Sequence, residues 1–316
     1  MNCKVCQQGQ LVKLEGDYYD YISRKKFELL SCPNCGSKQT SGNVQGDYYG
    51  QAYYGSSEGK FSSLFESIFL LNHQRNAKSF FKRFKPRSVL EVGCGRGYML
   101  SFLKQLGCKV IGIESAHAAS WILNNPDVPV SGVRDGEKWP VEDNSIDLII
   151  IWHVFEHVSD PPAVLSEMKR VLSRDGVLCI SVPNIGSMQA EIGLRNWFHL
   201  DVPRHLFHFS PKGLEALISS QDLKIVKKEA GDFLQNLYGW FQTLANRLTP
   251  ENNNLMYRFI QGGEPWKSTP QKPQLLVQLL LMPLIVPLGL IGWLVETIAG
   301  RHGSLTIYVK KRNAAE

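Results

Sequence analysis

One stretch constrains this chain more than any other: SVLEVGCGRGYMLSFLKQLG, residues 88–107. Ser88 to Val92 is an apolar run of strand length. Gly93, Gly95 and Gly97 then make a tight turn, and Tyr98 to Leu106 continues with helical spacing. Strand, glycine turn and helix in that order open a βαβ unit, which calls for an α/β fold around a mostly parallel sheet. The glycines also have a chemical reason: without a Cβ, the backbone amides at the head of the helix can approach a ligand closely. The spacing is not the G-x-G-x-x-G of dinucleotide sites. The third glycine comes one residue early, Tyr98 stands where that pattern wants glycine, and Glu91 precedes the first glycine by two residues.

The following residues keep the alternation going. Lys109 to Glu114 reads as a second strand ending in an acid, about 20 residues past the glycines, where a carboxylate can accept both ribose hydroxyl hydrogens. VPVSGVRDGEKWP supplies a third strand and Asp135. Ile146 to Ile151 is a fourth strand, followed by His153, Glu156 and His157. A helix, a turn at Asp175-Gly176 and a fifth strand come next. In this order, Glu91-x-Gly93-x-Gly95-x-Gly97, Glu114 and the Glu156-His157-Val158 loop resemble the class I S-adenosylmethionine-dependent methyltransferases. NWFHLDVPRHLFHFSPKGLEALI (residues 196–218) narrows the resemblance to one branch. That branch holds quinone-biosynthesis O-methyltransferases and bacterial methyltransferases of sugars and polysaccharides. The similarity runs from Ser88 to Asp232, with Leu305 to Lys310 as the last strand.

The resemblance implies a doubly wound, Rossmann-like sheet of seven strands and S-adenosylmethionine as cofactor. It assigns Glu91, Gly93, Gly95 and Gly97 to the methionine part, Glu114 to the ribose and Asp135 to the adenine. Cys94 and His153 are counted with them as cofactor contacts. Structural alternatives stay open: Glu91 can satisfy turn amides, and Asp135 can be an ordinary turn residue. Methyl transfer to a hydroxyl or carbon acid is helped by a general base, and histidine suits because it titrates near neutrality. His153, His157 and His205 are the candidates, although Glu156 and His157 can equally fix their own loop. Trp197, His199, Arg204, His205 and His208 form a polar-aromatic segment expected to line the acceptor pocket, Arg204 facing an acceptor phosphate or carboxylate.

Two further features flank this core. Cys3-x-x-Cys6 and Cys32-x-x-Cys35-Gly36 are paired knuckles, and four thiolates close a tetrahedral shell around a structural Zn2+. The intervening residues alternate in the manner of a hairpin. No basic stripe accompanies the knuckles, so nucleic acid is not an expected partner and a docking or folding role is. The start of the chain has no apolar run behind basic residues, which leaves the cysteines expected to be reduced. The formal net charge of +6 favours an anionic partner only weakly. Toward the other end, residues 274–299 carry a single charge, Glu296. That length approaches a bilayer span. The strand expected after it must rejoin the sheet, so the segment enters and returns or lies in the interface, bent by Pro283, Pro287 and Gly289.

The expected organisation is a zinc ribbon (1–45), a tyrosine-rich linker with an amphipathic helix (46–85), a methyltransferase core (86–235 plus 301–312) and an apolar helical insertion (236–300). The expected activity is O- or C-methylation of a small-molecule, sugar or glycan-precursor, or lipid-linked acceptor. The protein is expected in the cytoplasm, peripheral on the inner face of the membrane where residues 274–299 meet lipid. Quinone-type O-methylation at the membrane, a nicotinamide-dependent oxidoreductase and an inactive scaffold are the competing readings. The intact glycines and Glu114 argue against the last, and the glycine spacing against the oxidoreductase.

Overall fold

The computed structural model describes residues 1–42, 63–116, 128–134, 136–248, 254–262, 266–267 and 272–312. The tyrosine-rich joint and Asp135 lie outside the described residues. In chain order the strands are β1 (Val12–Lys13), β2 (Tyr18–Tyr19), β3 (Lys26–Ser31), β4 (Lys38–Ser41), β5 (Ser88–Val92), β6 (Lys109–Ser115), β7 (Val130–Val133), β8 (Ile146–Trp152), β9 (Leu172–Pro183), β10 (Phe207–His208), β11 (Leu223–Ala230) and β12 (Ser304–Lys311). The longer helices are α1 (Ser63–Phe84), α2 (Tyr98–Gln105), α3 (Pro161–Val171), α4 (Met188–Gly193), α5 (Pro211–Ser219), α6 (Phe233–Leu248), α7 (Leu255–Gln261), α8 (Lys272–Leu280) and α9 (Met282–Ala299).

The chain forms two compact units that do not follow its linear segments. One holds Met1–Glu66, Pro183–Gly213 and Ala230–Leu305; the other holds Ser67–Val182, Leu214–Glu229 and Thr306–Glu316.

The second unit is built on a seven-stranded sheet in the order β11-β12-β9-β8-β5-β6-β7. β5 runs parallel to both β6 and β8, β6 to β7, and β8 to β9. The strands are near-continuous apolar runs because both faces are covered. Val89, Leu148, Ile150, Val177 and Cys179 share one core with Ala77 and Phe80 of α1 and Met99, Leu100 and Leu103 of α2. The alternate residues Leu90, Ile149, Ile151, Leu178 and Ile180 are just as fully buried. α3 starts where Asp160 caps the amide of Ala163 ahead of two prolines, and buries Leu165, Met168 and Val171. The expected turn at Asp175-Gly176 is instead a bulge inside β9. Partners pass from Ile146↔Leu172 to Leu148↔Val177, so extra residues are absorbed without breaking the strand. A Cβ at Gly176 would lie 2.9 Å from the Ile146 carbonyl, which is why glycine sits there.

In the first unit the residues between the two cysteine knuckles do form antiparallel strands. β3 pairs with β1, β2 and β4, and β4 pairs in turn with β10. The apolar insertion is helical. α6 and α9 pack on each other through glycines: a Cβ at Gly292 would meet the Trp240 ring at 2.8 Å, and one at Gly289 the Phe241 ring at 2.4 Å.

Candidate active site

β5 lies between β6 and β8, the place where the sheet order reverses and where open α/β sheets take ligands at the carboxyl ends of their strands. Past Val92 the chain turns at once, with φ of 69° at Gly93, 51° at Gly95 and 69° at Gly97. The three glycines serve different ends. A Cβ at Gly93 would lie 2.4 Å from Val154 Cγ2, and one at Gly97 would touch Val128 at 3.4 Å, so both accommodate protein. A Cβ at Gly95 would meet nothing within 4 Å. That position opens onto free space, as a ligand cradle requires.

Two carboxylates close the turn. Glu114 accepts hydrogen bonds from the amides of Gly95 (3.0 Å, Oε2) and Ser115 (2.8 Å, Oε1). Glu91 is buried, and its Oε2 has no hydrogen-bond partner among the described residues. Burial pushes the Glu91 carboxyl up to about 8, and the charge of Glu114 adds to the rise. Burial also raises Glu114, against the pull of its two amide donors. Two buried acids, neither ion-paired among the described residues, suit a ligand that brings its own positive charge and donors. S-adenosylmethionine, a sulfonium with an ammonium group and ribose hydroxyls, has that chemistry, and the open face of Gly95 leaves room for it. Cys94 is buried, and burial pushes its thiol far up, so it stays a neutral thiol in the turn.

β8 delivers the histidine loop. His153 has φ of 54°, uncommon for a residue with a side chain, and its amide donates to the Ser181 carbonyl (2.9 Å). Its Nδ1 lies 3.6 Å from Glu156 Oε1, and Glu156 is buried. The His157 amide donates to the Val154 carbonyl at 2.9 Å, closing a single 3-10 turn. His153 and His157 thus belong to the same unit as the glycine turn.

The acceptor candidates belong to the other unit, and several of them are engaged with the cysteine module. Arg204 is buried. Its Nη1 donates to Asp20 (2.9 Å), its Nε to Asp201 (2.8 Å), its Nη2 also to Asp201, and the guanidinium lies 4.4 Å from the Tyr21 ring centroid. The anionic partner expected from an acceptor is therefore supplied within the protein. His208 lies in β10. Thr40 donates its hydroxyl hydrogen to the His205 carbonyl (2.6 Å), so the same oxygen accepts from His208 Nε2 at 3.1 Å. Burial, with Lys38 nearby, pushes His208 down to about 3, which keeps it neutral. His205 donates Nδ1–H to the His199 carbonyl at 2.7 Å. Trp197 is fully buried, packs edge-on against His199 at 5.5 Å, and has no partner for its indole nitrogen among the described residues.

Cys3, Cys6, Cys32 and Cys35 converge. Their sulfurs lie within 4.8 Å of one another, with Cys3–Cys35 at 3.9 Å and Cys6–Cys32 at 3.6 Å. These separations are too long for disulfides and match the edge of about 3.8 Å that tetrahedral Zn–S bonds of about 2.3 Å impose. The donor set therefore fits Zn2+. Three contributors to this region carry little signal in the sequence. Gly9 completes the first knuckle, where a Cβ would lie 2.4 Å from Cys32 Sγ. Asp20 is the buried partner of Arg204. Ser210 donates to the Cys35 carbonyl, accepts from the Gly213 amide (2.9 Å) and lies 3.2 Å from the Ser37 hydroxyl. Only the C-x-x-C-x-x-G spacing of Gly9 could have been noticed in advance.

A parallel sheet that reverses beside a glycine turn, with an acid closing the neighbouring strand, defines a doubly wound nucleoside-binding domain. Comparison with known proteins carries this further. A family model described as a methyltransferase domain matches residues 68–228, half of the chain. The chain belongs to that family, the class I S-adenosylmethionine-dependent methyltransferases. It is 31% identical over 121 residues to a probable S-adenosylmethionine-dependent methyltransferase of Mycolicibacterium smegmatis, covering 38% of this chain and 47% of that one. It is 24% identical over 159 residues to a ubiquinone biosynthesis O-methyltransferase of Neisseria meningitidis serogroup C, covering 46% of this chain and 64% of the relative. The matched region thus spans about half to two thirds of these relatives. Among solved structures, a SAM-dependent methyltransferase from Archaeoglobus fulgidus aligns over 78% of this chain and 98% of its own, at 19% identity and a TM-score of 0.46.

Proposed function

We propose that this protein transfers a methyl group from S-adenosylmethionine to an oxygen or carbon of a small-molecule, sugar or glycan-precursor, or lipid-linked acceptor. The observation that carries the reading is the turn itself. Gly95 faces open space, and beside it lie the unpartnered Glu91 Oε2 and the amide-bonded Glu114. Glu91, Gly93, Cys94, Gly95 and Gly97 are proposed to hold the methionine part, Glu114 the ribose and Asp135 the adenine, with His153 a further cofactor contact. When bound, the cofactor supplies an activated methyl group. The chain's part is to align the acceptor with it and to exclude water. His153, His157 and His205 are the proposed proton acceptors. Trp197, His199 and His205 are proposed to meet the acceptor, with Arg204 and His208 holding their segment in place.

The four thiolates are proposed to bind one structural Zn2+, since a closed shell leaves no position for substrate. A quinone-type O-methyltransferase is the second reading. The Neisseria relative favours it, as does an apolar helix whose exposed face would tolerate a hydrophobic neighbour. The proposed location is cytoplasmic, with peripheral contact on the inner membrane face through residues 274–299. Calorimetry with S-adenosylhomocysteine tests the core of the reading. One saturable site per chain is expected, and no heat at millimolar ligand would overturn it. Incubating the protein with methyl-labelled cofactor and cell extract then identifies the acceptor.

A further inference from the structure

We propose that the outer face of α8 and α9 seats this protein in the surface of an anionic lipid bilayer, lying in the interface and not crossing it. The proposal deepens the peripheral contact suggested above and rests on that reading.

α9 has two unlike stripes. Ile285, Gly289, Gly292 and Glu296 recur at helical spacing and face α6. Leu284, Leu288, Ile291, Val295 and Ile298 recur at the same spacing on the neighbouring face, about 100° around the helix, and each is 43% to 79% exposed. Leu290 and Leu294 widen this second stripe, and Leu276, Val277, Leu279 and Leu280 of α8 extend it. Over its 18 residues α9 has a mean hydropathy of 1.8, yet only 17% of it is buried. A soluble face of that size needs an apolar partner.

The choice of partner follows from composition and charge. Protein interfaces are enriched in Tyr, Trp, Met and Arg and carry roughly one hydrogen bond per 100–200 Å². The exposed large side chains of α8 and α9 are Leu, Ile and Val throughout. The hydroxyl of Thr297 is already spent on the Trp293 carbonyl (2.7 Å). Such a face has little to offer a second copy of this chain and much to offer acyl chains. The one acid of α9, Glu296, is turned inward and fully buried, where it accepts from Trp240 Nε1 at 2.6 Å and from the Gly303 amide. From Pro265 to Val295 the sequence has no acid. Lys267 and Lys272 stand before the aliphatic run; after it, Arg301 is paired with Glu191, and burial lowers the His302 imidazole and disfavours its charge. Two lysines ahead of an aliphatic run that carries no exposed acid complement anionic headgroups.

The ends also decide the orientation. At about 1.5 Å per residue α9 is roughly 27 Å long, near a hydrocarbon thickness. Both of its ends are nevertheless tied into one unit. Leu275 of α8 and Ile285 share a core with Ala245, Leu255 and Met256. Beyond the C-terminal end, Asn184 Nδ2 donates to the His302 carbonyl (2.9 Å), and β12 begins at Ser304. A crossing would tear one end away, so the helix pair lies flat.

Flotation of the full-length protein with phosphatidylcholine vesicles, and with vesicles containing about one third phosphatidylglycerol, tests this. Binding to the anionic vesicles is expected, weakened by salt and released by alkaline carbonate. An L288D/I291D double variant, altered only on the exposed stripe, should bind about tenfold less or weaker still. Its thermal midpoint and its calorimetric affinity for S-adenosylhomocysteine should stay unchanged. Absence of vesicle binding would overturn the proposal, as would retention in carbonate, which marks a crossing helix. So would a wild-type dimer in solution that the double variant dissolves. Loss of cofactor binding with vesicle binding intact would instead count against the methyl-transfer reading alone.

Discussion

Gly95 and Gly9 look alike in the sequence, each a glycine in a motif, and the structure gives them opposite reasons. At Gly95 an added Cβ would meet nothing, whereas at Gly9 it would strike the sulfur of Cys32. The acids around them differ in the same way. Glu91 has a buried oxygen without a partner beside the Gly95 turn. In the cysteine-bearing unit, Asp20 and Asp201 divide the buried guanidinium of Arg204 between them. Beside the Gly95 turn a buried carboxylate oxygen is left unspent, whereas around Arg204 the buried charges are paired. Buried polar groups cost energy unless paired, so the first arrangement awaits a ligand and the second holds up the fold.

Four experiments press on that contrast. The largest effect is expected for Arg204→Met, which strands the buried Asp20 and unpairs the partly exposed Asp201. Breaking a buried pair by removing one partner costs about 3–5 kcal/mol, read as a lower urea midpoint. S-adenosylhomocysteine should still bind to whatever fraction remains folded. If stability is untouched but turnover collapses, Arg204 belongs to the acceptor site after all. Next, Gly95→Val should weaken cofactor affinity by about 100-fold or more, roughly 2.7 kcal/mol. Its left-handed φ should cost the fold only about 1–2 kcal/mol. An unchanged affinity in calorimetry would place the ligand elsewhere.

The third concerns Glu91, whose folded carboxyl titrates near 8, above its ordinary value. A raised carboxyl leaves the ligand-free fold least penalised below the unfolded value, and that advantage is lost as pH climbs toward about 8. Binding of a cationic cofactor favours the charged form, so affinity should rise with pH over the same window. At pH 7 binding should release a proton, seen as a dependence of calorimetric heat on the buffer's ionisation enthalpy. Glu91→Gln should abolish that dependence. The smallest effect is expected for Ser210→Ala, which removes the hydroxyl shared by the Cys35 carbonyl and the Gly213 amide. A loss of about 1 kcal/mol in stability, with the proposed Zn2+ retained as in the unsubstituted protein in a metal assay, is the outcome for a hydrogen bond of this kind.

Much of the sheet was legible in advance. β5, β6 and β8 are short apolar runs bounded by glycine, proline or an acid, and such punctuation is local. The helical character of the late insertion and the return of the chain into β12 could also be read, because composition and length are local properties. The segment from Trp197 to His208 could not. Its polar and aromatic residues suggested an acceptor wall, and nothing nearby reveals that Arg204 reaches back to Asp20 or that Thr40 bonds His208. Pairings across more than 160 residues leave no periodic trace. The bulge at Gly176 escaped for a related reason: aspartate and glycine together signal a turn, but a paired neighbour strand can absorb them.

The pairing of β4 with β10 has a consequence for how the molecule is made. Lys38 finds its partner in His208, and Gln39 in Phe207. A ribosome adding about 5–20 residues per second needs on the order of ten to thirty seconds to cover that gap. Throughout that wait the nascent edge lies bare beside four thiols, open to oxidation or to pairing with another chain. If the four thiolates take the proposed Zn2+, its early capture would shield them during this period, and the yield of soluble protein should then follow zinc supply during translation.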